Sequence, residues 1–332
     1  MTIKDLAAQT GYSLGTVSRV LNNQPNVSEK ARKTILEAAE KSGFQLNTNA
    51  KQLKQSHSNS VLVVACGTSN ELFGSMMEII QARMAATSYQ LIVDYVDEYS
   101  NEVARALQLC REKKPLGILF LGGNRAHFRS GFEKIGVPCV LVTSDASGLC
   151  FENLSSVATD DALAAKTAIE ELVRMGHRRI AVIGGDRNGS GIVRLRFQGC
   201  MEAFRERGIH FDETQDYESV RFSFEDGYRA AQKLIARGRE YTAVFAMSDV
   251  MAIGAIRALR DAGLEVPRDV AVMGFDGLAV GGYTVPTLST ICQGVKEMAG
   301  RSIEILLENI EKHQPPRYET VPFAVQLRES TK

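Results

Sequence analysis

Apolar positions change their spacing twice along the chain. Over the first forty-odd residues they recur every three or four positions, the period of a helix with one buried face. Ile3, Leu6 and Ala7 predict a short helix over 3–9, with Thr2 and Asp5 as its opening cap pair and Gly11 as its stop. Ser13 caps a second helix whose apolar face is Val17, Val20 and Leu21. Ser28 caps a third, with Ala31, Ile35, Leu36 and Ala39 facing inward and Gly43 at its end. Two short helices meeting at a glycine corner, with a third behind them, form a helix-turn-helix unit. The stretch NTNAKQLKQSHS at 47–58 is polar except for Ala50 and Leu53. Beyond it, continuous apolar runs at 61–65, 91–95, 117–121, 139–142, 180–183, 243–247 and 270–275 read as strands. Helical patterns fit between them at 75–87, 101–113, 160–175, 196–206, 224–237 and 248–262. Strands that are apolar throughout and alternate with helices predict parallel sheets covered on both faces, and this many strands need two sheets. The expected fold is therefore α/β, a two-lobed body behind an all-α headpiece, with a ligand cleft where the strands' carboxyl ends face each other.

Net charge is zero over 332 residues, which argues against nucleic acid until the charge is located. Residues 1–57 hold eight basic side chains (Lys4, Arg19, Lys30, Arg32, Lys33, Lys41, Lys51, Lys54) and four acidic ones (Asp5, Glu29, Glu37, Glu40). That segment is +4 and the remainder is −4, the footprint of a small module that meets phosphates on a body that does not. No apolar run is long enough to span a bilayer, and the charged start MTIKDLAAQTGYS lacks a secretory pattern, so a cytoplasmic protein without membrane partners is expected. The six cysteines lie far apart with no metal-ligand spacing, which predicts reduced thiols and no metal. Gly184, Gly185, Gly189 and Gly191 do not make a dinucleotide loop, and no nucleophile elbow or phosphate loop occurs. Neither a cofactor nor an enzymatic activity is expected.

The second helix is informative in what it exposes. Ser13, Leu14, Gly15, Thr16, Ser18 and Arg19 make a small, polar outer face at its N-terminal end, the part of a recognition helix that reaches base edges. Arg19 suits a two-point contact to guanine, and Thr16, Ser18 and Asn22 suit phosphates. The caps Thr2 and Ser28 complete the DNA-facing set. Taken alone, 47–58 is a tether, too short for a stable isolated helix.

The string TIKDLAAQTGYSLGTVSRVLNNQPNVSEKARKTILEAAEKSGFQLN resembles the DNA-binding headpiece of the lac repressor family nearly position by position. Further on, GHRRIAVIGG, RLRFQGCMEAF, AVFAMSDVMAIGAIRAL, VAVMGFDG, PTLSTICQ and LRES follow in the family's order, so the resemblance spans the chain. It implies a sensor like the periplasmic sugar-binding proteins, and a homodimer that binds a near-palindromic double-stranded operator as a small-molecule-tuned repressor. Its implied divisions are a headpiece at 1–46, a hinge helix at 47–58 and an effector and dimerisation domain at 59–332. The N-lobe would comprise about 59–157 and 289–317, the C-lobe about 158–288 and 318–332.

Carried over, Leu14 and Gly15 form the specificity pair, Ala50 lets two hinge helices pack, and Leu53 is a minor-groove wedge. Leu46 stands where relatives usually have proline, and Lys51 where they usually have arginine. The implied effector residues are Asn70, Phe73, Thr143, Arg196, Phe222, Ser248, Asp276 and Gln293. A phenylalanine is more often core than ligand wall, which is the alternative for Phe73 and Phe222, and Arg196 with Asp276 has the lesser alternative of a lobe-bridging ion pair. Thr143 replaces an aspartate common in sugar-sensing relatives and Ser248 an asparagine, so the effector is either sugar-like or another polar metabolite. The chain ends soon after LRES, with no heptad tail for tetramerisation.

Overall fold

The computed structural model describes residues 2–21, 24–25, 27–44, 58–67, 70–187 and 191–332. Asn22, Ala50, Leu53 and most of the expected hinge lie outside the described residues. The chain forms two compact units, Met1–Ser58 and Asn59–Lys332.

In the first unit, α1 (Ile3–Thr10), α2 (Leu14–Leu21) and α3 (Glu29–Lys41) surround Leu6, Val17, Val20, Ala31, Ile35 and Ala39. The Thr2 hydroxyl accepts from the Asp5 amide while the Thr2 amide donates to Asp5 at 2.7 Å, a reciprocal cap in which aspartate takes the place more often held by glutamate. Gly11, at φ 73°, takes the left-handed turn between α1 and α2. Leu36 departs from the expected inward face: it is 46% exposed. Ala31, Ile35 and Ala39, spaced four apart, already fill the stripe, and the next residue along is rotated about 100° away from it.

The second unit opens with β1 (Ser60–Cys66), α4 (Glu71–Met84), β2 (Gln90–Val96), α5 (Glu102–Lys113), β3 (Gly117–Leu121), α6 (Arg125–Gly131), β4 (Cys139–Val142) and β5 (Leu154–Thr159). The second lobe follows as α7 (Asp161–Arg174), β6 (Ile180–Gly184), α8 (Gly191–Glu206), β7 (Tyr217–Ser219), α9 (Phe224–Ala236), β8 (Ala243–Ala246), α10 (Asp249–Asp261), β9 (Ala271–Asp276) and β10 (Ser289–Cys292). The chain then returns through α11 (Val295–Lys312) and β11 (Tyr318–Val321) and finishes with β12 (Ala324–Gln326).

The strands make two six-stranded sheets, ordered β11-β5-β4-β3-β1-β2 and β12-β10-β9-β8-β6-β7. Every pairing is parallel except β10 with β12. Val61–Ala65 and all of β3, β4 and β5 are buried, as strands covered by helices on both faces must be.

Two expected lobe crossings move. Ser289–Cys292 pairs with β9 in the second sheet, although the N-lobe was expected to begin at 289. Tyr318–Val321 pairs with β5 in the first sheet, although it was assigned to the C-lobe. In each case the strand completes its ladder before the chain crosses, because breaking off earlier would leave buried backbone groups unpaired. The crossings thus follow β5, β10 and β11, and each leaves from the carboxyl end of a strand. Thr143, Asp276 and Gln293 sit at such ends, after β4, at the close of β9 and after β10.

Candidate functional site

On the headpiece, α2 buries Val17 and Val20 and turns Leu14, Gly15 and Arg19 outward. Leu14 is 44% exposed, and a side chain added at Gly15 would meet only the Ser13 hydroxyl, at 3.9 Å. Ser13 accepts from the Thr16 amide at 3.2 Å, and its hydroxyl lies 2.9 Å from that of Thr16. This fixes the N-terminal turn, where helix amides and the positive end of the helix dipole favour an anion. Thr16 and Ser18 are half-buried at the edge of the same face. Arg19 is exposed and makes no ion pair among the described residues. Thr2 and Ser28 are exposed caps of α1 and α3. The arrangement is a small, polar helix face carrying Arg19, one helix wide, which fits a major groove in width and chemistry.

Between the two lobes of the second unit lies a cleft of about 310 Å³. Asn70, Phe73, Thr143, Arg196, Phe222, Asp276 and Gln293 all line it. Ser248 does not: it is 2% exposed, and its hydroxyl supports the ionised Asp276 from behind. Asn70 caps α4, accepting from the Leu72 amide, and Phe73 packs its ring edge where a Gly122 side chain would stand. Phe73 belongs both to the core under β1 and β3 and to the cleft wall, so both roles open to it are filled at once. A larger hollow of about 520 Å³ on the second lobe lies at the amino ends of β6 and β8, where Arg179 pairs with Glu240 and Arg239 with Asp216. Ligand sites in such sheets form at the opposite strand ends, which places the chemistry in the cleft.

Arg196 anchors the inner end. Its Nε donates to Asp161 at 2.7 Å, its Nη1 lies 3.7 Å from Asp276 and donates to the Met247 carbonyl, and its guanidinium sits 3.6 Å from the centre of the Phe275 ring. Asp276 also accepts from Gln293 at 2.8 Å. Burial pushes the Asp276 carboxyl up to about 6, against the pull of Arg196. Behind it, burial and the charge of Asp276 raise Asp249 to about 8. Asp249 accepts from Thr290 and from the Leu278 amide, both at 2.6 Å, and so ties down the turn that follows Asp276.

Two residues of the cleft hold unusual backbone angles: Thr143 at φ 74° and Asp276 at φ 122°. A β-branched threonine in the left-handed region is strained, and such strain persists where surroundings over-determine it. Among the described residues the buried Thr143 hydroxyl has no hydrogen-bond partner. A buried hydroxyl without a partner is costly unless something else supplies the bond.

Sequence reasoning missed three parts of this site. Asp161 lies thirty-five positions from Arg196 and has no spacing signal. Glu102, 1% exposed, accepts from the Asn124 amide and faces His127 Nδ1 at 2.7 Å. At the mouth, Arg221 of the second lobe reaches Asp97 and Glu98 of the first, each at 3.4 Å, and covers the Tyr99 ring. Only the local run Asp97-Glu98-Tyr99 after a strand hints at this contact.

Among the described residues no helix is long and apolar enough to cross a membrane. The profile of bacterial regulatory proteins of the lacI family matches residues 2–47, and that of the periplasmic binding protein-like domain matches 169–331. The HTH-type transcriptional regulator MalR of Clostridium butyricum is 33% identical over 313 residues, 93% of each chain. The solved complex of the transcriptional regulator CelR with cellobiose is 27% identical, covers 99% of both chains and superposes with a TM-score of 0.72. The lac repressor dimer bound to operator and the anti-inducer ONPF, 22% identical with a TM-score of 0.80, shares the fold over the full length of this chain. A helix-turn-helix headpiece with an outward polar ridge, a two-sheet body with a cleft at its strand ends and relatives alike over the whole length lead to one assignment: the chain belongs to the lacI family of DNA-binding transcriptional regulators.

Proposed function

We propose that this regulator is a cytoplasmic homodimeric repressor that acts without catalysis and leaves or holds its operator according to a sugar-like effector in the cleft. We divide it into a headpiece at 1–46, a hinge at 47–58 and an effector domain from 59 onward. In this reading Leu14, Gly15 and Arg19 face the bases, Thr2, Thr16, Ser18, Asn22 and Ser28 hold phosphates, and Ala50 and Leu53 act in the minor groove. Asn70, Phe73, Thr143, Arg196, Phe222, Asp276 and Gln293 contact the effector, and Ser248 orients Asp276. The observation that carries it is a cleft between the lobes lined by Thr143, whose buried hydroxyl has no partner among the described residues, and by Arg196, Asp276 and Gln293. The cellobiose in the CelR complex supports a sugar. The linked test selects bound sites from random DNA with the full chain and then screens sugars for compounds that change binding to the selected site. A palindromic consensus and at least one active sugar are expected. Selected sites without two-fold symmetry would remove the dimeric reading, and a screen in which only non-carbohydrates act would remove the sugar.

A further inference from the structure

Every arginine that lines the cleft is already outnumbered by carboxylates. Arg196 lies between Asp161 at 2.7 Å and Asp276 at 3.7 Å, and Arg221 between Asp97 and Glu98, both at 3.4 Å. Glu102 adds a buried carboxylate with His127 Nδ1 at 2.7 Å, and Asp186 lines the cleft as well. Two nearby cations do not line the cleft. Arg187 lies over the Phe197 and Tyr217 rings and pairs with Glu213, while Arg125 packs its stem against Gly191 and its guanidinium against Gly148, with Asp145 at 4.0 Å and its buried Nε without a hydrogen-bond partner among the described residues. Between Gly67 and Asn70, and between Arg187 and Gly191, the sequence holds no charged residue.

Two buried oxygens show what is wanted. Among the described residues the Thr143 hydroxyl has no hydrogen-bond partner, and Glu98 Oε1 accepts no hydrogen bond, with the Arg221 Nε at 3.4 Å. A carboxylate oxygen can only accept, so a ligand hydroxyl or ammonium satisfies Glu98, whereas a phosphate or carboxylate oxygen adds repulsion. An anion would have to displace an acid from its arginine, and at the buried Arg196 end water screens that conflict poorly. We propose that the cleft sorts effectors by charge: it takes a hydroxyl-bearing ligand that is uncharged or carries an amine, and excludes the phosphorylated or carboxylated form of the same compound. This rests on the cleft being the effector site and deepens that reading. The elevated Asp276 carboxyl agrees with a surplus of negative charge at the inner end.

The test uses the full chain and matched probe series: glucose, glucosamine and glucose 6-phosphate; galactose, galactosamine and galacturonate; ribose and ribose 5-phosphate; cellobiose and cellobionate. Dissociation constants come from thermal shift titrations, with operator retention as a second readout. In any series that binds, the neutral or amino member should be tighter than the anionic one by at least about tenfold. Asp97→Asn with Glu98→Gln, which frees Arg221, should narrow that gap. An anionic member that binds as tightly as its neutral counterpart overturns the charge rule and leaves the cleft as effector site. A protein that holds its operator but shifts with no member of any series overturns the cleft reading and the rule with it.

Discussion

At the scale of single residues, the two halves of the protein use arginine in opposite ways. Arg19 stands exposed and unpaired among the described residues, so its guanidinium is available to a base edge at little desolvation cost beyond that of DNA contact itself. Arg19→Ala should lose about 1–3 kcal/mol on the selected operator and relax preference at one base pair. Gel-shift titrations on single-base operator variants check this, and undiminished preference at every position would take Arg19 out of base readout. Arg196 instead is 4% exposed and shared between buried carboxylates, whose own protonation carries a pH signature. Asp249 and Asp276 are raised in the folded state to about 8 and 6 from an ordinary 3.8, so over that range the native protein binds protons the unfolded chain lacks. The cost of holding them ionised is greatest above their folded values and falls with pH, which means that stability rises as pH drops from about 8. Below about 6.5 the half-buried His177, whose value is lowered by desolvation, opposes the trend because it resists its proton. The melting temperature of the effector domain should therefore climb between pH 8 and about 6.5, and Asp249→Asn should flatten the climb. An unchanged slope in that variant would assign the proton uptake to other groups.

At the scale of elements, tight helix pairs set what substitutions the second lobe tolerates. A methyl at Gly254 of α10 would stand 2.1 Å from the Phe224 carbonyl of α9, and one at Gly227 of α9 would stand 2.4 Å from the Met251 carbonyl of α10. Each glycine admits the other helix's backbone, so Gly254→Ala must push the pair apart. A loss of about 1–3 kcal/mol in denaturant unfolding is expected, and a neutral result would show that α9 and α10 slide freely. Elements also differ in how plainly the sequence announces them. Strands such as Gly117–Leu121 and Cys139–Val142 were readable because a short, continuous apolar run bounded by turns fits little besides a strand buried on both faces. β7 and β12, three residues each, carry too little pattern to stand out. The eighteen-residue α11 escaped because its inner face includes Gly300, Ser302 and Asn309, which interrupt the apolar stripe; the Ser302 hydroxyl bonds within the helix and the Asn309 amide donates to Ser155. The apolar pattern predicts helix α8 only from Arg196 although it begins at Gly191, since a glycine-rich approach does not announce a helix. In the site, side chains at strand ends were legible through family order, whereas Asp161 and Arg221 were not. Their roles depend on partners brought together by the crossing of two sheets, which no local spacing encodes.

At the scale of the whole molecule, regulation requires that the effector distinguish two arrangements of the sensor, and the change in operator affinity can equal only that difference. Arg221 is the described side chain best placed to bias the choice. It comes from the second lobe, makes ion pairs with Asp97 and Glu98 of the first and lies 4.4 Å over the Tyr99 ring, so these contacts exist only while the lobes are near each other at the cleft mouth. Arg221 is half exposed, and water and salt screen its pairs, so the bias is modest and tunable rather than a lock. Arg221→Ala should lower the fraction of molecules whose cleft is ready for ligand and weaken apparent effector affinity a few-fold. Because the coupling is reciprocal, the operator affinity of the unliganded protein should move in the direction opposite to that produced by an effector that favours the near arrangement. Titrating effector and operator in both orders with the wild type and Arg221→Ala measures each side of this cycle. High salt should shrink the difference between the two proteins, since it screens in the wild type what the substitution removes. If effector affinity fell while operator affinity stayed fixed at every salt concentration, Arg221 would be a ligand contact alone and the lobes would not be coupled through the mouth of the cleft.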